Sequence, residues 1–260
     1  MIKTKKTLAT VMFDDGYVDN IEYAAPILKK HDCPASFYVV TGCIDFNLPT
    51  WTHIVEHLFL YTKKLEIEIE TDSLPQSLRK NKWVNKNERV EFAKQMNPYL
   101  KHLSHENRSS VILKLQQYFN DVELPKIMMN WKEVKQLSDE GFSIGSHSIS
   151  HAMLGTIADE NEVSNELIAS KNTIKKNIGI EPITISYPVG SYNKRTIELS
   201  KSAGYKIGLA VKQKFFNTDK DDFFEIPRTE LYNESWFKTK MRITGTLENI
   251  KRIIHYGKPK

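Results

Sequence analysis

The sequence predicts an α/β fold built around a parallel sheet, and three observations carry that reading. Short apolar runs alternate with amphipathic helical stretches over much of the chain. The first run, Leu8-Ala9-Thr10-Val11-Met12-Phe13, reads as a buried strand and stops at two adjacent carboxylates, Asp14 and Asp15, with Gly16 behind them. A later run, Ser143-Ile144-Gly145-Ser146, stops at His147, and His151 follows one four-residue step on. The C-terminal ends of parallel strands are where such sheets place their chemistry.

Each element has a local reason. Residues 20–30 carry Ile21, Ala24, Ala25, Ile27 and Leu28 at helical spacing, and Pro34 then introduces an apolar strand over residues 35–41. Residues 128–148 give a helix and then a strand, with Asn130 as N-cap before Trp131 and Gly141 as the helix stop. Helix is predicted for residues 159–177, strand for 183–187, helix for 194–203 up to Gly204, and strand for 205–210 and 223–226. Between Pro49 and Pro125 the rhythm breaks. Residues 51–61 form an amphipathic helix, residues 65–70 alternate like a two-faced strand, and residues 87–96 and 104–119 read as helix. The expectation is one domain over residues 1–260 holding a mostly helical insertion, residues 49–127. The insertion leaves the second strand and returns before the histidines, so it should overhang the strand ends, either shaping a substrate groove or capping the sheet.

Composition limits the classes available. The chain has 260 residues, 40% of them hydrophobic, and a formal net charge of +5. The basic residues are dispersed and no nucleic-acid motif accompanies them. Lys3, Lys5 and Lys6 read as a solvated tail, while Lys251, Arg252, Lys258 and Lys260 leave peripheral contact with anionic lipid open. No apolar run reaches the ~18 residues of a membrane span. The N-terminus lacks the h-region of a signal peptide, so the expected location is cytoplasmic. Cys33 and Cys43 form no disulfide frame and are expected to be reduced and structural.

Taken singly, Asp-Asp-Gly is a strand-to-turn signal, and histidines at i and i+4 are ordinary surface or core residues. Together, one carboxylate and two neutral imidazoles make the three-ligand open coordination sphere of a catalytic Zn²⁺, and a second carboxylate beside them can take a proton from water.

Three motifs carry a resemblance. Met12-Phe13-Asp14-Asp15-Gly16 is similar to the first motif of the polysaccharide deacetylases, the NodB-homology or carbohydrate esterase 4 group, and His147-Ser148-Ile149-Ser150-His151 resembles the second. Ile185-Ser186-Tyr187-Pro188-Val189-Gly190-Ser191-Tyr192-Asn193 is similar to a variant of the third. The resemblance spans residues 7–45 and 128–230. It implies a distorted (β/α) barrel of about seven strands. It also implies a metal-dependent hydrolase that removes an N-acetyl or N-formyl group from an amino sugar. The sugar would be free, nucleotide-linked, lipid-linked or within an oligosaccharide, in a cell-surface polysaccharide or glycolipid pathway.

On that resemblance the divalent metal, most naturally Zn²⁺, is held by Asp15, His147 and His151. Asp14 is the general base and the Val189 N–H meets the oxyanion. Tyr187, Tyr192 and Trp51 are expected at the substrate. The family's common third motif has an arginine that pairs with the base; the aligned residue is Ser186, and Arg228 in Glu225-Ile226-Pro227-Arg228 is the cation available to replace it. The family's acid is a histidine in a Leu-x-His motif. The late histidine here is His255, on a predicted terminal helix rather than a strand end. His53 and His57 lack a partner carboxylate motif and are expected to be structural. Other readings are an amidohydrolase acting on a non-sugar amide or ureide, as in relatives that resemble allantoinase, or a carbohydrate-binding pseudoenzyme. The complete Asp14, Asp15, His147 and His151 set argues against the pseudoenzyme.

Overall fold

The computed structural model describes residues 9–247 and 250. Its strands are β1 (Val11–Phe13), β2 (Ala35–Val39), β3 (Glu66–Glu68), β4 (Lys80–Lys82), β5 (Ser143–Ser146), β6 (Thr184–Ser186), β7 (Ile207–Ala210) and β8 (Ile226–Pro227). Six of them form one sheet in the order β1-β2-β5-β6-β7-β8, with every pairing parallel. Strands β3 and β4 make a separate antiparallel pair. The helices are α1 (Ala25–Lys30), α2 (Thr41–Phe46), α3 (Trp51–Tyr61), α4 (Gln76–Arg79), α5 (Lys86–Ala93), α6 (Met96–Leu100), α7 (His105–Tyr118), α8 (Trp131–Asp139), α9 (Glu160–Ile178), α10 (Lys194–Ser202) and α11 (Trp236–Ile243).

The sheet is curled. β1 and β8 are its two edges, yet Arg228 just past β8 reaches Asp14 just past β1 at 2.8 Å. Only a sheet bent round its own strand ends brings opposite edges to hydrogen-bond distance, which is the distorted (β/α) barrel expected, with six strands among the described residues. Close approach at one strand centre is set by Gly145, where an added Cβ would lie 2.3 Å from the Tyr38 ring.

Helices α1, α8 and α9 cover the sheet. Phe37, Val39, Val134, Leu137, Ile144 and Ile174 meet between them in one buried cluster, each side chain contributing about 1.5–3 kcal/mol through removal from water. Helix α8 begins as the sequence requires. The Asn130 Oδ1 accepts from the Lys132 and Glu133 N–H groups, and the Glu133 carboxyl accepts from the Asn130 N–H. Helix α9 starts at the Asp159 cap and ends at Gly179, in the left-handed region at φ 78°.

The insertion has a core of its own. Trp51, Val55, Leu58 and Phe59 from α3, Phe92 from α5, Met96 and Leu100 from α6, and Val111 and Leu115 from α7 form it, and Met153 from the histidine loop joins it. Its polar groups are tied in as well: the Arg89 guanidinium donates to the Phe59 and Lys64 carbonyls, both at 2.7 Å. Cys33 and Cys43 are free, and burial, with the charges of Asp15 and Glu166, pushes the Cys43 thiol up to about 12, which leaves it an inert core thiol.

Two predicted elements differ. The helix over residues 20–30 opens as a wide π turn, Asn20–Ala24, before α1, because Pro26 has no N–H to give to the preceding turn. The strand expected over residues 223–226 starts only at Ile226. Phe223 to Glu225 turn instead, with Phe224 N–H on the Asp222 carboxyl and Glu225 N–H on the Asp222 carbonyl.

Candidate active site

Asp14, Asp15, His147, Ser186 and Arg228 lie at or just past the C-terminal ends of sheet strands. After β1 the chain turns sharply, with Asp15 at φ 74° and Gly16 at φ 89°, so that consecutive carboxyls diverge. The turn is pinned by the Val40 N–H, which donates to the Asp15 carbonyl at 3.2 Å. After β5, His147 is nearly buried, and its Nδ1 donates to the Ser186 carbonyl at 2.7 Å. A carbonyl can only accept, so that bond fixes the tautomer and leaves the Nε2 lone pair facing Asp15.

The predicted ligands converge. His147 Nε2 is 3.4 Å and His151 Nε2 3.3 Å from the same Asp15 oxygen, and one donor atom from each of the three residues lies within 4.8 Å of the others. One carboxylate oxygen and two imidazole nitrogens, that of His147 with its tautomer fixed, fit a small divalent cation such as Zn²⁺.

Asp14 lies beside this cluster, its Oδ2 3.9 Å from His147 Nε2. Arg228 grips it with both guanidinium arms, at 2.8 and 2.9 Å, and the Ser186 hydroxyl donates to it at 3.1 Å while accepting from Arg228 at 2.9 Å. Burial pushes the Asp14 carboxyl up, but the charges of His147 and Arg228 and the hydrogen bonds from Arg228 and Ser186 outweigh it and hold it at about 2. Asp15 is likewise lowered: burial opposes, and the two histidines prevail. Burial also pushes His147 down, yet the two aspartates and the Ser186 carbonyl leave it above the usual imidazole value. His151 is held at about 4 by burial, with the charge on His147 adding to it against the pull of Asp15.

The loop between the histidines is held from two sides. Ser148 and His151 both take left-handed backbone, at φ 67° and 58°. The Glu166 carboxyl on α9 accepts from the Ile149 and Ser150 N–H groups and from the Ser150 hydroxyl. From the insertion, the Trp51 indole N–H donates to the His151 carbonyl at 3.1 Å, and Arg108 lies 5.4 Å over the Trp51 ring.

Not every expected residue reaches an open surface. Tyr187 is fully buried in the cluster with Leu167, Ile185 and Tyr205, so its side chain packs rather than faces substrate. Trp51 is 8% exposed and spends its one donor on His151, which makes it a support of the loop rather than a wall for sugar rings. Tyr192 is partly exposed, stacked on Tyr187 at 4.7 Å, with its hydroxyl donating to Glu225. Val189 is the middle residue of the turn Pro188–Gly190, in left-handed backbone at φ 57°. His53 and His57 stack on each other at 6.0 Å and are not part of the Asp15, His147 and His151 group, and His57 Nε2 meets the Glu123 carbonyl. His255 lies outside the described residues. Glu166 was missed in the sequence because a lone acidic residue within an amphipathic helix carries no signal; Ser186 was visible only as the place where the motif's arginine is absent.

A curled parallel sheet carrying an Asp-His-His cluster and a clamped second aspartate at its strand ends is the distorted (β/α) barrel that the three motifs imply. The chain belongs to the polysaccharide deacetylase family, whose sequence model matches residues 2–208. The Bacillus subtilis (strain 168) protein YxkH is 31% identical over 81 residues, which are 31% of this chain and 29% of that protein, so the match spans under a third of the curated relative. Among solved structures, the Streptococcus pyogenes deacetylase PplD in complex with acetate is similar at a TM-score of 0.54 and 18% identity, covering 88% of this chain and 66% of that one. IcaB from Ammonifex degensii is similar at a TM-score of 0.56 and 15% identity, covering 91% and 73%. These structural likenesses show the shared barrel.

Proposed function

We propose that the chain is a divalent-metal-dependent deacylase, with Zn²⁺ the natural ion, that removes an N-acetyl or N-formyl group from an amino sugar of a cell-surface polysaccharide or glycolipid pathway. The observation that carries this reading is the Asp15, His147 and His151 cluster with Asp14 clamped beside it by Arg228. When bound by those three residues, the metal supplies Lewis acidity, polarising a carbonyl oxygen and lowering the pKa of water.

Asp14 takes a proton from the attacking water. The Arg228 clamp keeps it charged and aimed, so its basicity is available from the start of the reaction. The Val189 N–H, presented by its left-handed turn, supports the negative oxygen that develops on the acyl carbon. As the proton taken by Asp14 passes on to the nitrogen, collapse breaks the C–N bond, releasing the acid and leaving a free amine on the sugar. Tyr192, partly exposed beside that turn and stacked on Tyr187, is the aromatic residue of the third motif that would meet the sugar.

The test measures metal content and acid release together, for wild type and Asp14→Asn, with N-acetyl and N-formyl amino sugars offered free, nucleotide-linked and lipid-linked. Stoichiometric zinc in both proteins is expected, with release from the variant reduced at least ~100-fold. Zinc-free wild type, purified without chelator, would sink the mechanism.

A further inference from the structure

We propose that Glu166 is a positioning residue of the metal centre, holding the loop of residues 148–151 in the backbone shape that presents His151. The proposal rests on the reading of Asp15, His147 and His151 as metal ligands, and it concerns a residue outside all three sequence motifs.

Three observations carry it. Glu166 is 8% exposed although it carries a carboxyl group, and a buried acidic side chain needs partners. All of its partners belong to one loop: Oε2 accepts from Ile149 N–H at 2.7 Å and Ser150 N–H at 3.1 Å, and Oε1 accepts from the Ser150 hydroxyl at 2.7 Å. That loop is the one whose two ends take left-handed backbone at residues other than glycine, Ser148 at φ 67° and His151 at φ 58°. Such conformations persist only where the surroundings impose them. Hydrogen bonds to the Ile149 and Ser150 N–H groups fix the first two of the three peptide planes between the two left-handed residues, and the bond from the Ser150 hydroxyl holds the residue that leads into His151. Helix α9, from which Glu166 reaches, is packed through Leu167 and Ile174 into the cores under the sheet and is therefore a firm base. In the first turn of α9 the Asn161 N–H bonds the Asp159 cap and Glu162 faces His105 at 3.2 Å, so among the described residues it is Glu166 that ties this loop to α9 by hydrogen bonds.

The role is one of hydrogen-bond acceptance, which separates it from a role for charge. Glutamine keeps the length of the side chain. Its carbonyl oxygen can accept both backbone N–H groups while its amide donates to a reoriented Ser150 hydroxyl. Aspartate keeps the carboxyl but withdraws it by one methylene from donors already at contact distance. The geometry therefore predicts that Glu166→Gln is tolerated better than Glu166→Asp, the reverse of what a charge requirement would give.

The experiment is Zn²⁺ affinity by competition with a chromogenic chelator, beside thermal unfolding of the metal-free protein, for wild type, Glu166→Gln, Glu166→Asp and Glu166→Ala. Wild type and His151→Ala are measured first, because one strong site lost in His151→Ala establishes the ligand set on its own. Glu166→Gln should then bind within about threefold of wild type and Glu166→Asp about 10-fold more weakly or worse, the range seen when the groups that orient metal ligands are lost. Glu166→Ala should match or exceed the aspartate effect; should it not fold, the Gln and Asp pair decides alone. Unchanged affinity in Glu166→Asp, with only the unfolding temperature lowered, would overturn the proposal in favour of a structural role. Weaker binding in Glu166→Gln than in Glu166→Asp would overturn it in favour of charge. Zinc binding absent from wild type would remove the underlying reading and this proposal with it.

Discussion

Ser186 stands where the family's third motif commonly has an arginine, and its hydroxyl bonds both Asp14 and the Arg228 guanidinium that arrives from β8. A small side chain at that position leaves the volume beside Asp14 to a cation from another strand, so an aspartate–arginine pairing survives with the source of the arginine moved. The clamp is bidentate, with two N–H groups on two carboxylate oxygens, a geometry a lysine ammonium cannot reproduce. Arg228→Lys should therefore keep zinc at wild-type stoichiometry while turnover falls about 10- to 100-fold, because the charge beside Asp14 remains but its aim is lost. Steady-state kinetics on the best acyl sugar, with metal analysis of the same sample, checks this. A variant as fast as wild type would show that Asp14 needs no aiming. Asp14 and Arg228 are 214 positions apart in the chain, and no local pattern pairs them; Arg228 was a candidate only because the motif lacked its own arginine.

At the scale of elements, the insertion and the barrel meet at His151, one of the proposed metal ligands. Helix α3 begins with Trp51, whose indole N–H is bonded to the His151 carbonyl. Met153, just past the loop, packs into the insertion's core. Trp51→Phe keeps a ring under the Arg108 cation but deletes the donor, leaving a buried carbonyl without its partner at a cost of about 1–3 kcal/mol. The expected result is a lower unfolding temperature together with weaker zinc binding, seen by calorimetry and chelator competition. Loss of stability with unchanged zinc affinity would make the contact a packing feature alone. Helices with marked ends were legible in the sequence: α8 has Asn130 and Gly141, α9 has Asp159 and Gly179, and α3 matched residue for residue. The strand β8 was misplaced by three residues, since Phe223 and Phe224 look like strand residues while the Asp222 side chain captures their backbone into a turn. Helix α2 was not read: the predicted strand ended on its first residue, Thr41, and the stretch to Phe46 is short, apolar and uncapped by any side chain. The ligands were legible because they lie in contiguous motifs. Glu166 and Trp51 act on the same loop from 15 residues after it and 100 before, distances at which only the folded chain brings them together.

At the scale of the molecule, the site is also a fastening. Asp15 follows the edge strand β1, whereas His147 and His151 follow β5, two strands further into the curled sheet. A cation bound by all three therefore ties parts of the barrel that the unfolded chain does not hold together, and binding to the folded form alone adds stability of RT ln(1 + [L]/Kd), about 2.7 kcal/mol at a hundredfold excess over Kd. For a chain of this length that corresponds to a rise of roughly 5–10 °C in the unfolding midpoint. Stripping the metal with EDTA at neutral pH should remove the rise, and restoring Zn²⁺ should return it. Acid should remove it too, with a defined sign. Ligation needs neutral imidazoles, and in the metal-free protein His147 holds its proton to a pH above the usual 6.5, while His151 is held at about 4. As pH falls through the raised value of His147, a proton takes the place at Nε2 and the metal's contribution declines; below about 4 both imidazoles are charged. Calorimetric scans with and without EDTA from pH 8 down to 5 should therefore converge from the acid side, with the gap already narrowing near neutrality. A gap that stays constant over that range would place the ion on ligands other than His147.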